Sequence, residues 1–219
     1  MHRLSVVIPA LNAGTLLSGT LAVIGRGLEI IVVDGGSADR TCEVAAEAGA
    51  RVLAAPRGRG SQIAAGIAAA TGPWLLILHA DTRPGDGWRQ AVAAHMATPD
   101  RAGYFRFALD SPAAPARRLE RIVAWRCRVF GLPYGDQGLL IHRDLLRAVG
   151  GVKKLPLMED VDLVRRLGRG RLRLLAADAV TSAARWEREG YLRRSARNLV
   201  CLALWFAGVP PRVIRRLYA

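Results

Sequence analysis

The stretch LEIIVVDGGS, Leu28 to Ser37, carries the reading of the fold. Ile30 to Val33 are four consecutive β-branched residues, a run suited to a strand buried on both faces rather than one alternating between core and water. The run ends in an acid, Asp34, then two glycines and Ser37, a residue type that caps helices. A strand that passes straight into a helix is half of a βαβ unit.

The same pattern extends to both sides. LSVVIP (4–9), ARVLAA (50–55) and PWLLILH (73–79) are further short apolar runs, and helix-like segments fill 12–24, 38–48 and 59–71. Strand–helix alternation repeated four times predicts an α/β fold with a mostly parallel sheet and right-handed crossovers. From about Asp100 the rhythm changes. AGYFRFAL (102–109) and QGLLIHR (137–143) read as strands, PARRLERIVAWRCRVF (115–130) and MEDVDLVRRLGR (158–169) as helices, and LRLLAADAVTSAARW (172–186) as extended. The expected organisation is a single domain over 1–219: a ligand-binding half (1–100), a second half (101–187) and a basic, apolar-centred helical tail (188–219).

With 219 residues, 51% of them hydrophobic, the chain can bury one substantial core. The net charge of +14 comes almost entirely from arginine, which favours anionic partners such as nucleic acid, lipid or phosphorylated substrates. A basic nucleic-acid-binding protein is the reading that charge alone would support. No recognised module or aromatic–basic stripe accompanies it, so no nucleic-acid partner is expected. Cys42, Cys127 and Cys201 lie far apart, with neither zinc spacing nor a disulfide framework, and the start MHRLSVVIPALN enters a strand pattern directly. The expected location is therefore a reducing cytoplasm, without a signal peptide.

Three early strands end in polar residues: VVIPALN, VVDGGS and LHADT. In a parallel sheet these ends share one edge, where ligands bind, so Asn12, Asp34 and Asp81 are expected to converge. Two carboxylates in one crevice repel unless a cation or hydrogen-bond donors separate them. A base N–H or sugar hydroxyl suits one acid, and a divalent cation on a diphosphate suits the other. Either acid alone could be a helix cap; both on one edge favour a ligand. A dinucleotide-binding fold would place G-x-G-x-x-G after the first strand, where PALNAG stands instead. The Gly-rich basic loop PRGRGSQ follows the third strand, the wrong place for a sugar nucleotidyltransferase.

The ordered series VVIPALN, IIVVDGGSADRT, PRGRGSQIAAGIAAATG, LILHADT, GDQGLLIHRDLLRAVGG, PLMEDVDLVRRL and SAARW resembles glycosyltransferase family 2. Within that family it is similar to short bacterial enzymes labelled arsenosugar-biosynthesis glycosyltransferases. The resemblance implies a GT-A fold, with Pro9, Ala10 and Asn12 lining a nucleotide pocket and Asp34 receiving the base. It places the loop Arg57–Gln62, including Gly58, beside the donor. Ala80 and Asp81 fall in the D-x-D position, where Asp81 would hold Mn2+ or Mg2+ on the donor diphosphate. Asp160 of the Glu159–Asp160 pair would be the base, with Arg185 near phosphate and Trp186 near the acceptor. Three positions depart from the pattern: Ala13, Gly35 and His79. Magnesium tolerates a single carboxylate. A ligating His79 would favour manganese, and the alternative is a strand-end histidine bonded to backbone.

Beside the resemblance, glycosyl transfer with inversion needs one carboxylate, unlike the acid/base pair of a hydrolase. Asp160 at a helix start fits. Its neighbour Glu159 is expected to raise one pKa of the pair, opposed by the positive helix end; a solvated capping pair is the alternative. Asp136 and Gln137, framed by glycines, are expected to face the acceptor or donor sugar. Arg57 and Arg59 would neutralise diphosphate, or form a solvated basic turn. In the tail, NLVCLALWFAGVPP is shorter than the roughly 20 residues that span a bilayer. Arg193, Arg194 and Arg197 precede it and Arg212, Arg215 and Arg216 follow, which suits an anionic interface on the inner face of the cell membrane. Packing on the 115–130 helix or a homodimer contact are the alternatives. The combined expectation is an inverting, metal-dependent enzyme using a nucleotide-sugar donor, UDP-linked, and a lipid-like or small-molecule acceptor. A catalytically silent nucleotide- or membrane-binding relative is the competing reading, against which Asp34, Asp81 and Asp160 stand.

Overall fold

Strand β1 (Leu4–Ala10) is buried at all seven positions, and β2 (Glu29–Asp34) beside it at five of six. The computed structural model describes residues 3–218. With β3 (Arg51–Ala54) and β4 (Trp74–Ile77) these strands form a parallel block ordered β3-β2-β1-β4. Side chains alternate across the pleat. Val7, Ile31, Val33 and Leu75 enter one core, while Val6, Ile8, Val32 and Leu76 enter the other.

Helices cover both faces. Helices α1 (Gly14–Ile24), α2 (Thr41–Glu47) and α4 (Trp88–His95) supply Leu17, Ala45 and Trp88 to the second core. Helices α3 (Arg59–Ala69), α5 (Ala114–Phe130) and α7 (Glu159–Leu167) supply Ile63, Val123 and Leu163 to the first. Helix α3 lies so close that a Cβ on Gly66 would stand 2.4 Å from Val7 Cγ1, a packing only glycine allows.

Beyond β4 the direction changes. Strand β7 (Leu139–His142) runs antiparallel to β4 and to β6 (Ala102–Leu109). Strand β8 (Leu172–Thr181) lies parallel to β6, and β5 (Thr82–Pro84) closes the sheet antiparallel to β8. The eight-stranded order is β3-β2-β1-β4-β7-β6-β8-β5. The reversal beside β4 puts a topological switch where an open sheet binds ligands. Helix α6 (Arg143–Ala148) follows β7 directly.

Besides the short helix α6, two elements stand where the sequence pattern marks none. Strand β5 has three residues, one a proline, too few for an alternation signal. Helix α4 starts after Gly87 in the left-handed region and buries Trp88, Val92 and His95 on one face. The expected extension over 172–186 also ends early: the chain turns into α8 (Ala184–Glu189) after Thr181. Ala, Arg and Glu dominate that helix, and all three are strong helix formers.

The tail folds into α9 (Tyr191–Phe206) and α10 (Pro211–Tyr218), which pack on each other, and α9 touches α5. Cys201 and Ile214 join Leu157, Met158 and Val161 in a third cluster at the entrance to α7. Among the described residues no helix is long and apolar enough to cross a membrane.

Candidate active site

After β4 the chain turns sharply. Thr82 N–H donates to the His79 carbonyl at 3.2 Å, and Thr20 Oγ1 donates to the Ala80 carbonyl at 2.9 Å. The turn brings His79 and Asp81 to a cavity of about 130 Å3, lined also by Arg59, Asp136, Asp160, Arg185 and Trp186. Acids and arginines from Arg59 to Arg185 in the sequence thus meet at one sheet edge.

Asp160 is held from two sides. Its Oδ2 accepts from Gly135 N–H at 2.8 Å, and its Oδ1 accepts from Val161 N–H at 2.8 Å. Gly135 opens the 3-10 turn Gly135–Gln137 that precedes β7. Gln137 anchors this turn from beneath: its amide oxygen accepts from Tyr134 N–H at 3.2 Å and its amide nitrogen donates to the Phe105 carbonyl at 3.1 Å. On the other side, Met158 adopts φ 65° just before α7, a conformation uncommon outside glycine. That turn sets the direction in which the Glu159–Asp160 pair leaves the backbone.

The charges are unevenly solvated. Glu159 is 1% exposed, with Arg59 Nε 3.1 Å away. Burial, opposed by Arg59 and reinforced by Asp160, pushes its carboxyl up to about 7. It is a buried acid, not one on a solvated helix face. Burial also pushes Asp136 up to about 6, against the pull of Arg126. For His79, burial and the Arg59 guanidinium bring the pKa down to about 4 despite Asp81 and Asp160. Arg59 Nη1 lies 3.4 Å from His79 Nε2. A guanidinium can only donate, so Nε2 accepts and the ring proton sits on Nδ1. The Nε2 edge of the imidazole therefore faces Arg59.

Among the described residues no group of three or more His, Cys, Asp or Glu is arranged to hold a metal by itself. The donors that do meet are carboxylates: Asp81 lines the cavity, and Asp136 Oδ1 is buried with no hydrogen-bond partner. This set fits a hard cation that takes one or two carboxylates and completes its shell with phosphate and water.

The expected nucleotide residues form a separate cluster at the β1–β2 end of the same edge. Asn12 N–H donates to Ser37 Oγ at 2.8 Å, Ala38 N–H donates to Asn12 Oδ1 at 2.8 Å, and the Ser37 hydroxyl donates to Asp34. Burial raises the Asp34 pKa, but hydrogen bonds from the Ser37 side chain and from Ser37 and Gly36 N–H outweigh it and leave the pKa lowered. Asn12 and Asp34 are thus joined through Ser37, but neither they nor Pro9 and Ala10 line the cavity that holds Asp81. Two glutamines turn inward instead of facing a ligand. Gln62 is 3% exposed and donates to the Ala10 and Val33 carbonyls at 2.7 and 2.8 Å, tying β1 to β2, and Gln137 is the anchor described above. In the basic loop, Arg57 is exposed and Gly58 begins the turn into α3, while Arg59 is the residue that reaches the cavity.

The opposite wall comes from the C-terminal part of the chain. Trp186 stacks on Tyr191 with ring centroids 6.1 Å apart, and the Arg194 guanidinium lies 5.0 Å over the indole. Arg194, Asn198, Cys201 and Leu202 of α9 complete the lining. Their i, i+4, i+7, i+8 spacing is the signal for an inward helical face, hidden in the sequence by the equally apolar outer face.

The profile described as Glycosyl transferase family 2 matches residues 5–139. An uncharacterized glycosyltransferase of Mycobacterium tuberculosis is 45% identical over 78 residues, which is 35% of this chain and 36% of that protein. An uncharacterized glycosyltransferase of Mycobacterium bovis matches to the same extent. The match thus spans little more than a third of those relatives' length. Among solved structures, residues 1–349 of S. aureus TarS align with a TM-score of 0.66 at 14% identity, over 99% of this chain and 69% of that one. Glucosyl-3-phosphoglycerate synthase from Mycobacterium tuberculosis, solved with Mn2+, UDP-glucose and phosphoglyceric acid, aligns with a TM-score of 0.55 at 21% identity, over 79% and 69%. At such identities the likeness is one of fold, and the fold is that of the GT-A enzymes. With the profile covering well over half its length, the chain belongs to glycosyl transferase family 2.

Proposed function

We propose that this enzyme transfers a sugar, with inversion, from a UDP-linked nucleotide-sugar donor to a hydroxyl on a lipid-like or small-molecule acceptor. The observation that carries the reading is the Asp160 carboxylate, fixed by two backbone N–H groups in the cavity that also holds Asp81, Arg59 and Arg185. The neighbouring enzyme structures with UDP-sugar donors and with Mn2+ or Mg2+ support the donor class and the metal.

In this mechanism Asp160 accepts the proton of the acceptor hydroxyl as its oxygen attacks the anomeric carbon. The new C–O bond forms as the bond to the diphosphate oxygen breaks, and that electron pair leaves with the nucleoside diphosphate. General-base catalysis of this kind contributes roughly 10²–10⁴ in rate. Arg59 and Arg185 stabilise the negative charge that develops on the leaving group. Asp81, with Asp136 near it, would hold a divalent cation, which when bound offsets diphosphate charge. Neutral His79 positions Arg59. Asp34, Asn12, Pro9 and Ala10 take the base and ribose at the β1–β2 end, Gly58 lets the basic loop approach the donor, and Trp186 gives the acceptor an apolar wall.

The test is calorimetric titration of the protein and of Asp81→Ala with UDP, with and without manganese. The parent should bind UDP more tightly with manganese, and the variant should lose that gain while keeping its fold. Parent-like, manganese-dependent binding by the variant overturns the metal assignment; failure of the parent to bind any nucleoside diphosphate overturns the donor class.

A further inference from the structure

Exposed apolar side chains concentrate on helix α9 and the two helices that pack against it, α5 and α10. Among the described residues, thirteen large hydrophobic side chains are exposed, and ten of them belong to α5, α9 and α10. Helix α5 buries Leu119, Val123 and Cys127 but leaves Ile122, Trp125 and Val129 exposed at i, i+3, i+7. Helix α9 uses its inner face for the cavity, and its outer face carries Leu192, Leu199 and Phe206 at i, i+7, i+14, with Leu192 88% exposed. On α10, Ile214 is buried while Val213 and Leu217 are exposed. Both α5 and α10 pack against α9, so these are contiguous elements rather than scattered residues. Solvated helices do not need such stripes, and clustered apolar exposure marks an interaction surface.

The charge on these helices decides what the surface fits. From Tyr191 to Ala219 the sequence has no aspartate or glutamate, and α5 has one, Glu120, engaged by Arg117. Exposed arginines border the apolar stripes: Arg118, Arg121 and Arg128 on α5, and Arg212, Arg215 and Arg216 on α10. A second copy of the chain would bring the same arginines against these, and like charges facing each other disfavour that pairing. A nucleic acid would answer the charge but leave the apolar stripes in water. An anionic bilayer answers both, taking Trp, Phe and Leu into the headgroup boundary and arginine against its phosphates.

We propose that α5, α9 and α10 together form a docking surface for an anionic lipid bilayer, on which the protein lies peripherally. This surface lies outside the donor chemistry, so the proposal does not depend on the identity of the nucleotide. Docking there would set α9, whose inner face lines the reaction cavity, at the lipid boundary.

The test is sedimentation of the full chain with vesicles of phosphatidylcholine alone and of equal parts phosphatidylcholine and phosphatidylglycerol, at low salt. The protein should pellet with the anionic vesicles and stay in solution with the neutral ones. Trp125→Ser with Leu199→Ser, both at exposed positions, should weaken vesicle binding about tenfold. Arg215→Ser with Arg216→Ser should weaken it about 30-fold and flatten its salt dependence. Thermal unfolding and UDP affinity of both variants should match the parent, which separates lost docking from lost fold. The proposal is overturned if the parent ignores anionic vesicles, or if both double variants bind as the parent does. It is equally overturned if the parent is a dimer that the Trp125/Leu199 variant dissociates, or if duplex DNA is bound as tightly as the vesicles.

Discussion

Gly135 and Asp160 are joined by a hydrogen bond from the Gly135 N–H to Oδ2 at 2.8 Å, so the loop before β7 fixes the aim of a carboxylate that begins a different helix. The same glycine abuts His79: a Cβ built on it would stand 2.4 Å from Nε2 and 3.2 Å from Asp160 Oδ2. One backbone position therefore spaces the imidazole from the acid.

Gly135→Ala should disturb that spacing without unfolding the protein. Overpacking of this kind typically costs about 1–3 kcal/mol, and displacing a catalytic group by an ångström can lower turnover about 10²-fold. The expected outcome is a modest loss in denaturant midpoint with turnover down by about that factor. Parent-like turnover would show that the Gly135–Asp160 contact does not set the reactive geometry.

Asp160→Asn keeps the shape and one of the two acceptors that receive backbone N–H groups, but removes basicity. Turnover should fall roughly 10²–10⁴-fold, with UDP affinity unchanged because the diphosphate is held elsewhere. Both are measured on the same variant. Near-normal turnover would assign the base to another residue.

Glu159 makes stability depend on pH. Its carboxyl is raised from 4.5 in the unfolded chain to about 7 in the fold, so between these values the native state binds more protons than the unfolded one. Stability must then fall as pH rises through that window, by up to roughly 3 kcal/mol. Asp136, raised from 3.8 to about 6, acts in the same direction at lower pH. Glu159→Gln should flatten the decline, which melting temperatures from pH 5 to 8 would reveal. An equally steep decline in the variant would mean that Glu159 is ionised at no cost beside Arg59.

The strands that were plain in the sequence are those whose environment leaves a one-dimensional mark. β1 and β2 are apolar because both faces are covered, β6 is apolar except at the exposed Arg106, and their limits fall within a residue of the runs LSVVIP, LEIIVVD and AGYFRFAL. β5 and α4 left no such mark, being short and stabilised by β8 and by burial of Trp88. At the site, the acids Asp81, Asp136 and Asp160 were found because strand ends and helix starts are recognisable. Side-chain direction was not: nothing in PRGRGSQ distinguishes the arginine that faces water, Arg57, from the one in the cavity, Arg59. Gln62 and Gln137 looked like ligand contacts because polar residues in glycine-rich loops usually are, whereas here buried carbonyls require their amides. The α9 wall escaped because a helix apolar on two sides has no single face to read.

Helix α9 has one face in the cavity and the other among the exposed apolar stripes, and a rigid helix cannot change its seat for one face alone. If filling the cavity draws α9 more firmly onto Met158 and Val161, the outer face is held more firmly too. Thermodynamic reciprocity then requires whatever engages the outer face to tighten the hold on the cavity's occupant by the same factor. On that condition the two surfaces are linked equilibria sharing sixteen residues of helix.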